Sequence, residues 1–454
     1  MKDVREPDQE GLRWMRLPPE AGRDAWDHVL RLVIVLGLGL MAYVSIRAQV
    51  FSPLYRLAEI HGISATLVRP SILWFMMGTL LLVFRTLLWF TYRPPTPATL
   101  KTAPRMTVVI PAYNEGAMVS KAIDSIAEAN YPPEQLEIIV VDDGSKDDTW
   151  EHIQRAVARH GTRVRALRQD RNRGKREALA AGFRIGSGEV FVTVDSDSVV
   201  SPDALLALAG PFASKQVGVV AGKVLVYNRA EGIIPRMLHV RFTLAFDFLR
   251  AYQSTFGTVY CSPGALSAYR ASAVKKVLER WLKQRFLGAQ ATIGEDRALT
   301  NDIMSLGFDS VYQRRAVVLT VVPTHYRQLT KMLLRWNRSF IREELRFAAI
   351  VWKRPPAARL IALFDSTITN MRYPVMFLSL SLLALALLTG VLVLPRMLVA
   401  IGLMSFFYSL YYLRSERSLD VIYGVVYEYF SFFFLFWIFP WALLTVRRRG
   451  WMTR

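Results

Sequence analysis

Uncharged apolar blocks stand toward both ends of this chain, around a polar middle with a different rhythm. Leu32 to Ile46 is flanked by Arg31 and Arg47, and Pro70 to Phe84 continues past Arg85 through LLWFTY. Beyond the middle come Tyr373 to Pro395, Met397 to Leu413 and Tyr429 to Val446, the last interrupted by Pro440. In a hydrocarbon core about 30 Å thick a helix satisfies its own backbone, so blocks of this length predict spanning helices. The flanking arginines are expected near the interfaces, where a long stem lets the charge reach water. A chain that is 52% hydrophobic yet 21% charged fits two regions of unlike composition better than one uniform fold.

The boundary is marked by RPPTPATLKTAPR, with four prolines. After it, TVVIPA, EIIVV and VFVTV read as buried parallel strands separated by helical stretches, the pattern of a doubly wound α/β domain. Further on, Lys331, Arg335, Arg338, Arg342 and Arg346 recur at spacings of three and four. On a helix they form one basic stripe beside Met332, Leu333, Trp336 and Phe340, which predicts a helix lying on the membrane surface; Ala357 to Asn370 reads as a second. The expected organisation is a tail over 1–28, two transmembrane helices over 29–93 and a linker over 94–105. A cytoplasmic catalytic domain over 106–326, amphipathic interface helices over 327–372, a transmembrane region over 373–446 and a basic tail over 447–454 complete it.

The net charge of +20 suits loops at an anionic inner-membrane face. No zinc spacing or recognition-helix pattern supports nucleic-acid binding. The single cysteine, Cys261, excludes an intrachain disulfide framework and a cysteine-rich metal site. The first residues are polar for too long to read as a signal peptide. Topology raises a parity question. Two N-terminal spans keep the tail and the α/β domain cytoplasmic, and three simple C-terminal spans would then carry RRRGWMTR outside, against the positive-inside bias. The last block is therefore expected to be re-entrant, or an extra crossing lies nearby.

Four acidic clusters punctuate the α/β segment. Asn114 and Glu115 stand at the tip of the loop after VVIPA, and Asp142 and Asp143 end the strand EIIVVDD. Ligands bind beyond the carboxyl ends of such strands, where an acidic side chain accepts from a uracil N–H or a ribose hydroxyl. Asp195 and Asp197 follow VFVTV at a spacing that lets two carboxylates share Mg²⁺ or Mn²⁺ and so hold a diphosphate; an acidic turn is the other reading. Glu295 and Asp296 precede a helical stretch, as a cap or as a general base for an acceptor hydroxyl.

The ordered set YNEG, VDDGS, RGKREAL, DSD, CSPGALSAYR, GEDR and RWNRSFIRE resembles the processive family 2 glycosyltransferases with a GT-A fold. Within these it is similar to the hyaluronan synthases and the NodC-type chitin oligosaccharide synthases, over about Thr107 to Glu344. The resemblance implies a GT-A catalytic domain inserted between membrane helices, an inverting transfer from UDP-sugar donors to a growing polysaccharide, and contact with membrane lipid. By position it implies that Asp142 and Asp143 meet the uridine, with Lys175 near the phosphates. Asp195 and Asp197 form the metal motif, Asp197 as the direct ligand, and Asp296 is the base. Arg335 binds the diphosphate, and Trp336, Glu295 and Cys261 line the acceptor side. Hyaluronan requires UDP-GlcNAc and UDP-GlcA, whereas a chitin-like product requires one donor. A transfer of one sugar to a lipid phosphate, or a non-catalytic transport or secretion subunit, stands as the rival. His325 is an additional candidate metal ligand. Two departures stand out: Met332 where the family has glutamine before Arg-Trp, and CSPGALSAYR in place of a shorter CSGPLS pattern.

Overall fold

The computed structural model describes residues 70–388 and 394–448, together with Leu32, Leu36 and Gly62. Nearly all of the first expected span and of both tails lies outside the described residues.

Eight strands form one sheet, in the order Val164–Arg168 (β3), Leu136–Asp142 (β2), Met106–Ala112 (β1), Val190–Val194 (β4), Leu266–Arg270 (β7), Val217–Val226 (β6), Asp309–Thr320 (β10) and Ser198–Val200 (β5). β1 (Met106–Ala112), β2 (Leu136–Asp142), β3 (Val164–Arg168) and β4 (Val190–Val194) pair in parallel, as their apolar runs predict. β1 and β4 are buried along their whole length because helices cover both faces of the sheet. Side chains alternate between the two layers. Val108 and Ile110 join the layer of Ile123 and Ile126, whereas Val109 packs in the layer of Phe183 and Trp281.

The second half departs from a uniformly parallel sheet. β7 (Leu266–Arg270) runs antiparallel to both β4 and β6 (Val217–Val226). β10 (Asp309–Thr320) pairs in parallel with β6 and antiparallel with β5 (Ser198–Val200). The chain leaves β6 for a long helical excursion, Ile233–Leu244 through Ser254, and re-enters the sheet at the end it left, so that β7 runs back alongside β6. A two-stranded ribbon of β8 (Arg285–Phe286) and β9 (Ala289–Gln290) follows.

The basic stripe lies on the helix Tyr326–Ile350, where Arg338 and Arg342 are buried. Lys331 and Arg335 line the main cavity. Arg338 donates to Thr445 Oγ1, and Arg342 is buried against Glu343 and the Ile293 carbonyl. Arg346 pairs with Asp302 at 2.9 Å and Glu343 at 2.8 Å. Asp302 and the Ile293 carbonyl on other elements, the Thr445 hydroxyl and Glu343 on the same helix thus take up part of its charge. The expected second surface helix and the span beginning at Tyr373 are one helix, Pro356–Leu388, with Pro374 inside it.

Among the described residues, Ile72–Thr91 is long and apolar enough to cross a membrane. The segments Val421–Leu435 and Ile438–Leu444 pass the same test when taken together, bent by 48°. That break falls in the block expected to be re-entrant, beside Pro440.

Candidate active site

The loops beyond β1, β2 and β4 converge on one cavity of about 1330 Å³. Asn114 adopts φ 53°, a left-handed conformation that asparagine tolerates better than most residues. It receives the Lys146 N–H at 2.9 Å on Oδ1 and donates its own N–H to Ser145 Oγ at 3.0 Å, tying the two loops together. Glu115 and Gly116 both donate backbone N–H groups to Thr149 Oγ1.

The Asp-Asp pair divides. Asp143 lines the cavity, and its two oxygens accept from the N–H groups of Arg173 (2.7 Å) and Gly174 (2.8 Å). Burial, followed by those hydrogen bonds in the opposite sense, leaves its carboxyl raised. Asp142 is turned into the protein, accepting from Ser145 N at 3.0 Å and lying 3.3 Å from Arg168 Nε. It does not line the cavity. Successive residues at a strand end point to opposite sides, and of this pair Asp143 is the one that faces the cavity.

By fixing Arg173 and Gly174, Asp143 sets the start of the helix Lys175–Ile185. Lys175 Nζ then lies 2.5 Å from Asp195 Oδ1 and 3.0 Å from Glu295 Oε1. Asp197, two residues on, accepts from Thr320 Oγ1 at 3.2 Å and Ser198 Oγ at 3.3 Å. Asp195 and Asp197 both line the cavity, two hard oxygen donors of the kind a divalent cation takes when a diphosphate supplies the remaining ligands. Among the described residues no cluster of three His, Cys, Asp or Glu side chains forms a complete metal cage. His325 is exposed and does not line the cavity.

Glu295 and Asp296 open the helix Glu295–Met304, and both line the cavity. Burial works against ionisation of Glu295, yet Lys175 outweighs it and holds the carboxyl at about 2. Asp296 is pushed up to about 6, first by burial and then by the Glu295 charge beside it. Adjacent carboxylates with environments that drive them apart are the pattern of an acid–base pair with divided roles. Asp296 Oδ2 accepts from Gly264 N at 3.2 Å and lies 4.0 Å from Cys261 Sγ. The Cys261 thiol is pushed up to about 12 by burial and by Asp296.

Gly294 sits before this helix at φ 72°, where a Cβ would run into Ser339 Oγ. Gly294→Ala is expected to lower turnover more than about tenfold, through misplacement of Asp296 and the left-handed penalty of about 1–2 kcal/mol. Steady-state turnover checks this; a wild-type rate in that variant would show that the loop relaxes freely.

The helix Tyr326–Ile350 closes the site with Arg335, Trp336 and Met332. The Arg241 guanidinium stands 5.7 Å from the Trp336 ring centre and 5.4 Å from that of Tyr427. From there the same cavity continues past Trp74, Arg372, Tyr408 and Glu428 of the flanking helices. Every candidate residue except Asp142 and His325 thus meets in one space. Sequence reasoning missed Arg241 and Arg250, which line it from elements without a recognisable motif.

Residues 107–278 match the family model Glycosyl transferase family 2. The chain carries a family 2 glycosyltransferase domain. It is 37% identical over 246 residues to a hyaluronan synthase of Streptococcus pyogenes, covering 53% of this chain and 58% of the relative. It is 35% identical over 257 residues to an N-acetylglucosaminyltransferase of Mesorhizobium japonicum, covering 56% and 60% respectively. The match thus covers less than two thirds of either relative. The mannosyltransferase PcManGT from Pyrobaculum calidifontis, solved with GDP-Man and Mn²⁺, superposes with a TM-score of 0.58 at 22% identity, over 78% of this chain and 96% of that one. That likeness is one of fold, and it matches the mixed sheet of this glycosyltransferase domain.

Proposed function

We propose that this chain is a membrane-integrated, inverting, processive glycosyltransferase that builds a polysaccharide from UDP-sugars, in the manner of a hyaluronan synthase using UDP-GlcNAc and UDP-GlcA. The observation that carries this reading is the continuity of one cavity from Asp143, Asp195 and Asp296 to Tyr408, Tyr427 and Glu428 of the C-terminal helices. A site for a single transfer needs no such extension, whereas a lengthening product needs room to leave. A chitin-like synthase using one donor is the second reading, favoured by the similarity to an N-acetylglucosaminyltransferase.

In the proposed reaction Asp296 takes the proton of the acceptor hydroxyl, whose oxygen bonds to the anomeric carbon as the bond from that carbon to the diphosphate oxygen breaks. Attack opposite the leaving group inverts the centre. Asp143 binds the uridine end, and Arg335 pairs with the departing diphosphate. Asp195 and Asp197 are the residues that would hold Mg²⁺ or Mn²⁺, which when bound neutralises the leaving charge. Lys175 keeps Asp195 and Glu295 from repelling each other, and so leaves Asp296 as the less acidic carboxylate. Trp336, Cys261 and Glu295 form the acceptor side.

Because the base acts deprotonated, activity is expected to fall as pH drops through about 6, not through the ordinary aspartate range near 4. A kcat/KM profile of the purified enzyme checks this. An acid limb near pH 4 would mean that the essential base is a better-solvated carboxylate.

The test of the function is UDP release and product length for detergent-purified protein with UDP-GlcNAc, UDP-GlcA and both, with Mn²⁺, Mg²⁺ or chelator. A long polymer from both donors together, lost on chelation, is the expected result. Polymer from UDP-GlcNAc alone moves the chain to the chitin-like reading, and silence with every donor overturns both. The same reading has the enzyme export its product across the membrane; in sealed vesicles, polymer retained on the enzyme's side would refute that export.

A further inference from the structure

Lys223 interrupts the strand VGVVAGKVLV and is completely buried. A buried ammonium needs counter-charge. Its Nζ lies 2.7 Å from Asp247 Oδ2 and 3.0 Å from Glu416 Oε1. Arg314 Nε stands 3.3 Å from Asp247 Oδ1, which also accepts from Tyr312 OH at 2.9 Å. Burial opposes ionisation of Asp247, but Arg314 and Lys223 prevail and hold it at about 2. Two cations and two carboxylates therefore meet between β6, β10, Ala245–Arg250 and the end of the helix Leu394–Glu416. None of the four lines the cavity.

Asp247 belongs to Ala245–Arg250, a π-helical turn inserted between two α-helices. Such turns are rare, and they turn up disproportionately at functional sites. Phe246, Leu249 and Arg250 of the same turn face the cavity. Arg250 Nε donates to the Cys261 carbonyl at 3.0 Å, and its guanidinium sits 3.9 Å over the Phe246 ring. Cys261 in turn lies against Asp296. On the far side, Trp89 Nε1 donates to the Asp247 carbonyl at 2.6 Å, and Arg414 stacks over Trp89 at 4.2 Å. The turn is held from the helical region on one side and presents a cation beside the catalytic carboxylate on the other.

We propose that Asp247, clamped by Lys223 and Arg314, is a positioning residue that locks the π-turn so that Arg250 stands at the acceptor side of Asp296, and that Glu416 ties the lock to the C-terminal helices. The inference rests on the proposed role of Asp296. Buried ion pairs add little net stability, and a specific geometry is the better account of keeping four charges there.

The test uses the full chain in detergent and compares Asp247→Asn, Arg250→Gln and the double variant. Each single change is expected to lower the transfer kcat at least about tenfold with UDP affinity within about twofold, and the double variant to lose no more than the worse single one. Losses that multiply, an unchanged kcat in Asp247→Asn, or a parallel fall of UDP affinity and melting temperature would overturn the proposal. Should Asp247→Asn fail to accumulate, Glu416→Gln at the rim of the network carries the test. A kcat reduced about threefold at constant UDP affinity supports the lock, and an unchanged kcat refutes it. A silent wild-type chain would instead refute the proposed function.

Discussion

Replacing Asp296 by asparagine is expected to slow glycosyl transfer by about 10²–10⁴-fold while UDP affinity stays within about twofold. Asparagine keeps the shape of the side chain and cannot accept the acceptor's proton. The proposed donor-side groups Asp143, Asp195, Asp197 and Arg335 lie outside the helix that bears Asp296, so their geometry is expected to persist. One local adjustment follows. Asp296 accepts the Gly264 N–H on one oxygen and the Arg297 N–H on the other, and an amide accepts only one of them. The acid limb near pH 6 should vanish from whatever rate remains. The checks are single-turnover transfer and UDP titration on the purified variant. A rate within threefold of wild type would remove Asp296 as the base and leave Glu295 as the carboxylate in reach.

Replacing Glu343 by glutamine is expected to destabilise the protein by about 3–5 kcal/mol. Glu343 is completely buried. It accepts from Gln284 (2.6 Å), Arg346 (2.8 Å), Arg342 (3.0 Å) and Asn301 (3.2 Å), joining the helix that bears Arg335 to the helix that bears Asp296. Without its charge, the Arg342 guanidinium loses its carboxylate partner inside the protein, a far larger penalty than the loss of one surface pair. Arg327→Gln, exposed on the same helix, is the control and should change stability by no more than about 0.5 kcal/mol. The melting midpoint of the solubilised chain, followed by tryptophan fluorescence, measures both. Equal midpoints for the two variants would show that the network is not what holds the helices together.

The parts legible in the sequence are those with a local cause. Val108 to Ala112, Ile138 to Asp142 and Val190 to Val194 are apolar enough to require burial on both faces, and so read as central parallel strands. Their C-terminal ends carry the acidic residues, and in an open α/β sheet those ends border one crevice. Hence Asn114, Asp143, Asp195 and Asp197 were recognisable as one site without coordinates. Motif order supplied Arg335, Trp336 and Asp296, because the resemblance covers these stretches.

Other features depend on partners distant in sequence. Whether Asp142 or Asp143 faces the cavity turns on the strand's pleat and on Arg168 of the neighbouring strand. The stripe from Lys331 to Arg346 has the spacing of a membrane-surface helix; beyond Glu343 on the same helix, its counter-charge at Asp302 became visible only once the helices Glu295–Met304 and Tyr326–Ile350 were packed together. Arg250 and Asp247 belong to no motif, and the π-turn that separates their environments has no local signature. By itself the sequence determined the strands, the acidic edge of the crevice and the chemistry available there, because burial and strand-end geometry act over a few residues. Tertiary structure alone decided the reversal of β7, the inward turn of the basic stripe and the different acidities of Glu295 and Asp296, because a charge takes its value from whatever is packed against it.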